Sequence, residues 1–328
     1  LVVCEIALAF ALLAGAGLMV QNFRALSGLS PGYDTSKLWL VTTAIDRPDY
    51  VDPERRINYV AEVEAAVLAL PEVERVGTSS MFPWDRANTL ARIEVEGRDF
   101  DPDERLLVNH RSVTPGFLET TDIPLLMGRY VDSRDRVDGY PVVVVSESTA
   151  RFLWPNQDPI GTRVRDMRST GNPNAWRTIV GVVADVREYD THPMTWYVPY
   201  EQTAAAPTAA NLVIAARVRG EVDAERLSHA VSSVDPTLAV REVLPATLLH
   251  SEAFAGERFT TGMLSIFSFG GLLMAAIGIY GVLAYYVSRR VREIGVRLAL
   301  GARPTVILRG VLFHGLTLVV LGLGVGLI

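Results

Sequence analysis

Three long apolar segments constrain this 328-residue chain more than any other feature of its sequence. Residues 1–20 contain one charged side chain, and residues 263–287 and 311–328 contain none. About 20 consecutive apolar residues are enough to cross the hydrocarbon core of a bilayer. We therefore expect a membrane protein whose polar middle portion lies outside the bilayer. An ordinary soluble enzyme and a disordered chain are both excluded.

The charges are divided unevenly between the two ends of the chain. The formal net charge is −6, yet residues 261–328 carry six arginines against one glutamate, which leaves −10 on residues 21–260. Short basic loops stay on the cytoplasmic side of a membrane, so we place the 288–309 connection inside and the acidic middle outside. An acidic domain also argues against nucleic acid as a partner.

Motifs for catalysis and metal binding are missing from the sequence. Cys4 is the single cysteine, which excludes an internal disulfide and a cysteine-based metal site, and the five histidines lack metal-ligand spacing. Lys37 is the single lysine, and no G-x-x-x-x-G-K-[ST], G-x-S-x-G or H-E-x-x-H motif occurs. We expect no catalytic residue, no metal site and no cofactor bound by this chain.

The middle of the chain is predicted to be an α+β domain of about 230 residues, with one core or two lobes. Asp52-Pro53 begins a helix whose apolar residues recur every three or four positions as far as Leu70. The valines at 142–145 and the β-branched residues within 176–186 indicate buried strands. Residues 24–52 are expected to form a polar connection, and residues 244–258 a helix that leads into the second span. Residues 123–125 are expected to lead into a turn at residues 127–129.

Small residues recur every four positions in the first apolar segment. Ala7, Ala11 and Gly15 would lie on one side of a helix and allow another helix to approach closely. The alternative is that these small residues have no partner helix. Glu5 is expected near the cytoplasmic interface or in helix pairing.

The connection between the last two apolar segments has the pattern of an amphipathic helix. Val287, Val291, Ile294 and Leu298 recur at intervals of four, three and four, while charged residues occupy the other face. Gly301 can end this helix and Pro304 can begin the next. The pattern predicts a short helix on the cytoplasmic surface. A basic loop that only fixes the topology remains the alternative.

The same stretch carries a resemblance to a known family. Residues 292–302, Arg-Glu-Ile-Gly-Val-Arg-Leu-Ala-Leu-Gly-Ala, resemble the signature of FtsX-like permeases, the MacB/FtsX branch of ABC transporters. Further stretches resemble, in order, the MacB-type periplasmic core: residues 30–33, 114–117, 123–125, 128–129, 141–144, 152–155, 158–161 and 180–186. The chain is most similar to duplicated permeases without a fused ATPase.

The resemblance implies α-helical transmembrane spans flanking an α+β extracytoplasmic domain. Residues 1–22 would form the first span, residues 23–258 the MacB-like core and residues 259–328 the FtsX-like domain. Within the last, we expect a second span at about 261–287, a coupling helix at 288–302 and a third span from 304. Because both ends lie in apolar runs and the family has four spans, we expect this sequence to be part of a longer protein.

The family implies a permease subunit of a bacterial inner membrane that pairs with a second permease half or a second copy of itself. A separate ABC ATPase would bind ATP and Mg²⁺, so this chain would be a non-catalytic subunit. Hydrolysis would move the spans and the periplasmic domain, for export or extraction of envelope substrates, with a periplasmic adaptor as a further partner. Residues that match the family signature would dock on the ATPase: Arg292, Glu293, Ile294, Arg297, Leu298 and Gly301.

Two other classes of protein remain as alternatives. A membrane-anchored sensor would bind a ligand outside and signal inward, but the second span leads to a third span rather than to a kinase or a long coiled coil. An anchored extracytoplasmic enzyme would need a catalytic constellation, and the sequence shows none.

Overall fold

The computed structural model describes residues 2–27, 31–83, 89–98, 106–167, 175–187, 194–253, 255–300 and 304–326. The chain divides into two compact units. One unit consists of Leu1–Leu29 with Phe254–Ile328, and the other is Ser30–Ala253.

The described residues form eleven strands and nine α-helices. The strands are β1 Leu38–Ala44, β2 Val73–Ser79, β3 Leu90–Val95, β4 Leu107–Val113, β5 Leu125–Gly128, β6 Val142–Ser146, β7 Arg163–Asp166, β8 Arg177–Val183, β9 Thr195–Pro199, β10 Asn211–Val218 and β11 Val240–Pro245. The helices are α1 Val2–Ser27, α2 Pro53–Leu68, α3 Phe117–Thr120, α4 Glu147–Leu153, α5 Ala224–Ser232, α6 Ala246–Ala253, α7 Ala255–Arg289, α8 Val291–Ala299 and α9 Pro304–Gly326.

The unit Ser30–Ala253 has two lobes. In the first lobe, four antiparallel strands lie in the order β11-β1-β10-β2, with α2 and α5 packed against them. Asp52 begins α2 as predicted, because its side chain accepts a hydrogen bond from the Glu54 amide at 3.1 Å. The buried face of α2 presents Val60, Val63 and Val67 to the lobe's core.

The second lobe is a closed ring of six strands. The pairings run β4-β3-β7-β8-β6-β9, and β9 pairs back with β4 in parallel. Its interior holds Val143, Val145, Ile179 and Trp196, together with apolar residues of α4. The predicted valine strand is confirmed as β6, in which every residue is buried.

A third apolar cluster joins the two lobes. Strand side chains alternate between opposite faces, so one strand can contribute to two cores. In β10, Leu212 and Ile214 face the first-lobe core, whereas Val213 and Ala215 face the joining cluster. Val144 of β6 reaches the same cluster from the ring. The expectation of an α+β domain is confirmed, with two lobes.

Three sequence-based expectations for this domain are wrong. The segment expected to be a polar connection, residues 24–52, contains β1, which lies between β10 and β11 and is largely buried. Met127 and Gly128, expected in a turn, belong to β5, which pairs with β8. The helix expected over residues 244–258 covers α6 and the start of α7, while Leu244 and Pro245 belong to β11.

In the other unit, α1 packs against both α7 and α9. A small buried cluster of Ile6, Ala9 and Ala275 lies where these helices meet. Among the described residues, three helical segments are long and apolar enough to cross a membrane: Val3–Gln21, Phe259–Arg289 and Ile307–Gly326. They agree with the three apolar segments of the sequence.

Candidate functional site

The predicted amphipathic helix between the second and third apolar helices is present as α8. The break that separates α8 from α7 lies at Arg290, whose φ of −110° and ψ of 10° depart from helical values. The Arg290 amide donates to the Val287 carbonyl at 3.0 Å, so the turn between the helices is tight. As a result, α8 is a separate helix of nine residues.

The charged face of α8 carries a pair at helical spacing. Arg297 Nη2 lies 2.6 Å from Glu293 Oε1, one turn apart, and Arg290 Nε lies 4.0 Å from the same carboxylate. Both members of the closer pair are about half exposed. Such a pair stabilises a helix by roughly 0.3–0.5 kcal/mol. The pair is therefore accessible to a partner and weak as a structural element.

The apolar face of α8 is largely exposed in the described part of the chain. No side chain of this fully described helix is buried; Val291 is 60% exposed and Leu298 44% exposed, while Ile294 is partly covered. An exposed apolar face on an otherwise polar helix indicates contact with a partner or with a lipid surface.

Two tyrosines at the end of α7 were not singled out from the sequence. The guanidinium carbon of Arg290 lies 4.5 Å from the ring centre of Tyr286, and that of Arg289 lies 5.2 Å from the ring centre of Tyr285. Arg290 also donates to the Tyr286 hydroxyl at 2.5 Å. Tyrosine and arginine four residues apart at the end of an apolar helix were the available signal, because both residue types concentrate at membrane interfaces.

The other predicted site residues are placed as follows. Arg292 is exposed on α8, and Gly301 lies outside the described residues. Ala7 is buried, and its backbone lies close to Gly326 of α9. A side chain added at Gly15 would contact Leu264 of α7, whereas Ala11 is exposed. The docking role of α8 and the helix-packing role of Ala7, Ala11 and Gly15 stay predictions.

Several of the family-like stretches meet in the joining cluster. The ring of Phe82 lies between those of Tyr33 and Phe117, edge to face, with centres 5.2 and 6.3 Å away. Gly32 has a φ of +88° and lies directly against the backbone of Asp185 and Val186. The Arg187 amide donates to the Pro31 carbonyl at 3.0 Å. The first residues of the domain are therefore fixed to the segment after β8.

A second set of these stretches forms a charged turn after β5. Gly181 of β8 lies against the carbonyl of Arg129, leaving no space for a side chain. Arg129 donates two hydrogen bonds of 2.7 and 2.8 Å to the Asp135 carboxylate. These hydrogen bonds raise the pKa of Arg129, because their effect is larger than the opposing effect of burial. These residues hold the turn in place and offer no reacting group.

The described residues show no metal centre. Among them, no group of three or more histidine, cysteine, aspartate or glutamate residues could hold a metal ion. His110 of β4 accepts a hydrogen bond on Nδ1 from Trp196 Nε1 at 2.8 Å. Burial, aided by Arg177 and Arg111, lowers the pKa of His110 to about 4, so the ring is neutral at pH 7.

The family comparisons agree with this arrangement. Residues 1–234 match the MacB-like periplasmic core domain, and residues 265–328 match the FtsX-like permease C-terminal domain. The chain is 24% identical over 222 residues to the macrolide export ATP-binding/permease protein MacB of Mannheimia succiniciproducens, covering 65% of this chain and 33% of that protein. It is 25% identical over 254 residues to the probable syringafactin export ATP-binding/permease protein SyfD of Pseudomonas syringae pv. tomato, covering 71% and 35%.

Solved structures give a weaker similarity. The periplasmic region of MacB from Actinobacillus actinomycetemcomitans aligns with 68% of this chain and 95% of that chain, with a TM-score of 0.46 and 14% identity. The chain spans about a third of the length of the curated relatives it matches. The two family matches together cover most of the sequence, and they show that the chain belongs to the FtsX/MacB type of ABC transporter permease, with a MacB-like periplasmic core domain and an FtsX-like permease domain.

Proposed function

We propose that this chain is the non-catalytic membrane subunit through which a separate ABC ATPase moves an extracytoplasmic domain. The movement would serve export or the extraction of substrates from the cell envelope. ATP and Mg²⁺ would bind to the ATPase, and the permease would pair with a second permease half or a second copy. In this proposal the chain crosses the inner membrane several times and its MacB-like domain lies in the periplasm.

The observation that carries the proposal is the exposed surface of α8. An amphipathic helix between two membrane-spanning helices presents the Glu293–Arg297 pair together with the partly exposed Leu298. An apolar anchor surrounded by complementary charges suits a protein interface better than a plain loop. Since α8 directly follows α7 in the chain, force applied to α8 would pass to the apolar helix before it.

The construction of the periplasmic domain also supports mechanical coupling. A domain moved by its ends must resist local unfolding where the chain enters it. The residues after α1 are held by the close approach of Gly32 to Asp185 and by the aromatic contact of Tyr33 with Phe82. Such close packing transmits displacement rather than absorbing it.

The proposal is tested by co-purification of the full-length protein in mild detergent. We expect an ATPase with Walker motifs to accompany the parent protein and to be lost from Glu293→Arg and Arg297→Glu. Arg219→Glu is the matched control, because it makes the same charge reversal at an exposed residue of the extracytoplasmic domain and should retain the ATPase.

The opposite result would reject the docking helix. If no ATPase accompanies the parent and the α8 variants behave like it, α8 only fixes the topology. A sensor that signals across the membrane would then become the better interpretation.

A further inference from the structure

A half-enclosed cavity of about 430 Å³ lies in the extracytoplasmic domain, where β8 begins. Its lining combines Arg177 at the start of β8 with His110 of β4 and Trp196 of β9. Leu90 and Val137 belong to the same lining. Cavities of this size with convergent polar groups and apolar walls commonly bind small molecules.

Arg177 is a deeply placed cation in this cavity. Its Nη1 donates to Gln202 Oε1 at 2.8 Å, and Nη2 lies 3.5 Å from the Gln202 carbonyl oxygen. Among the described residues, no carboxylate forms an ion pair with it within 4.0 Å. Burial lowers the pKa of Arg177 to about 10, despite the opposing attraction of Asp166. The guanidinium therefore stays charged at pH 7 and is compensated mainly by neutral oxygens.

Gln202 is held in place by three further hydrogen bonds of its side chain. Its amide nitrogen donates to the carbonyl oxygens of Arg136 and Tyr140 at 3.2 and 3.1 Å. Its side-chain oxygen also accepts from the Val142 amide at 3.2 Å. The position of Arg177 is thus set by a saturated side chain, which is the preorganisation expected of a binding group.

Among the described residues of the lining, no other titratable group pairs with this cation at contact distance. His110 is uncharged, because Nδ1 accepts from Trp196 and the ring is buried. Its Nε2 faces Ser112 Oγ at 3.3 Å. Asp166 also lines the cavity and attracts Arg177, but it forms no ion pair with it within 4.0 Å. Arg177 is therefore a positive charge that has no carboxylate at contact distance among the described residues.

Part of the cavity lining is apolar and exposed. Val137 is 65% exposed and Leu90 36% exposed, and Pro141 and Pro207 lie on the same lining. Prolines and aliphatic side chains here leave no polar group to satisfy, so they suit the hydrocarbon part of a ligand. The lining therefore combines the partly buried Arg177 with more exposed aliphatic residues.

We propose that this cavity binds a small amphiphilic organic acid, whose carboxylate pairs with Arg177 and whose apolar part contacts Leu90 and Val137. A carboxylate can accept two parallel hydrogen bonds from a guanidinium, which gives both affinity and orientation. The site goes beyond the proposed function, because it lies wholly within the extracytoplasmic domain and its occupancy requires no ATPase.

The test is equilibrium dialysis of the full chain in phosphatidylcholine nanodiscs at pH 7.5, with empty nanodiscs as the blank. The probes are 2-naphthoate and 2-naphthamide, which share the ring system and differ in charge. We expect the acid to bind at least tenfold more tightly than the amide. Arg177→Gln should remove this preference, and Arg165→Gln should retain it, since Arg165 stacks on Trp176 and pairs with Glu94 instead of lining the cavity.

A second variant keeps the test decisive if Arg177→Gln fails to fold. Val137→Phe enlarges an exposed side chain of the lining and should weaken binding of the acid at least fivefold by narrowing the cavity, without altering the fold. Equal binding of acid and amide by the parent, or no binding of either, would overturn the proposal. An unchanged preference in folded Arg177→Gln, or full affinity in Val137→Phe, would do the same.

Discussion

The guanidinium group of Arg217 lies 3.0 Å from the carboxylate of Asp34, which joins β10 to the segment that follows α1 in the chain. The arginine side chain is 7% exposed and also pairs with Asp122 at 3.1 Å. It donates to the backbone carbonyl groups of Asp34, Ser36 and Thr120 at 2.8–3.0 Å. The buried side chain of Arg217 thus connects β10 to the segment after α1 and to the segment after α3.

Replacing Arg217 should therefore destabilise the extracytoplasmic domain. We expect Arg217→Met to lower the free energy of unfolding by about 2–3 kcal/mol, because it leaves carbonyl groups and a partly covered carboxylate without their donor. Urea unfolding in detergent, followed by tryptophan fluorescence, measures this directly. All five tryptophans lie between residues 39 and 196, so the signal reports on this domain.

Arg219→Met is the matched control for that experiment. Arg219 lies two residues further along and is exposed, so its replacement should change the unfolding free energy by less than about 0.5 kcal/mol. Similar losses in the two variants would mean that the buried contacts of Arg217 contribute little.

Gly32 should tolerate no side chain, for two separable reasons. Its φ of +88° disfavours any other residue, and an added Cβ would overlap the Asp185 carbonyl oxygen. Gly97 has a similar φ of +74° but open space around it. We expect Gly97→Ala to cost about 1 kcal/mol and Gly32→Ala at least about 3 kcal/mol, with the difference arising from the overlap. The same urea titration compares them, and equal costs would show that the backbone relaxes around Gly32.

His110 should make the domain less stable in mild acid. Its pKa is about 4 in the folded protein, against an ordinary value of 6.5, so the unfolded chain gains a proton at a higher pH than the folded one. The contribution of the neutral ring to the free energy of unfolding is fully present above pH 6.5 and is lost as the pH falls toward 4. This amounts to a loss on the order of 3 kcal/mol over that interval.

The histidine contribution can be isolated by comparing variants across pH. His110→Gln keeps an acceptor for Trp196 and has no proton to gain, so its unfolding free energy should fall less steeply between pH 6.5 and 4 than that of the parent. His229→Gln replaces an exposed histidine and should follow the parent. If all three proteins show the same slope, protonation of His110 does not limit stability in acid.

The sequence predicts α8 and the apolar helices well because their signals are local. Periodic apolar residues define a helix without knowledge of its neighbours. By contrast, β1 was missed because its burial comes from pairing with β10 and β11, which are far away in sequence. The cavity around Arg177 was missed for the same reason, since its lining comes from separate strands and loops that only the fold brings together.

The small residues of α1 could be predicted only in part from the sequence. A spacing of four places Ala7, Ala11 and Gly15 on one side of α1, but the buried cluster is formed by Ile6 and Ala9 with Ala275. Small residues occur all around α1, so spacing alone does not identify the side that faces α7 or α9. The direction of packing is set by the partner helices, which sequence periodicity does not encode.

A charge exchange within α8 should distinguish a docking role from a structural one. The single variants Glu293→Arg and Arg297→Glu place like charges one turn apart, which costs only a few tenths of a kcal/mol on an exposed helix. The double variant Glu293→Arg with Arg297→Glu restores an attractive pair but reverses the charge that each position offers to a partner. If these side chains contact the ATPase, the double variant should remain at least tenfold weaker than the parent in ATPase binding. Recovery of parental binding in the double variant would mean that the pair acts within α8 alone.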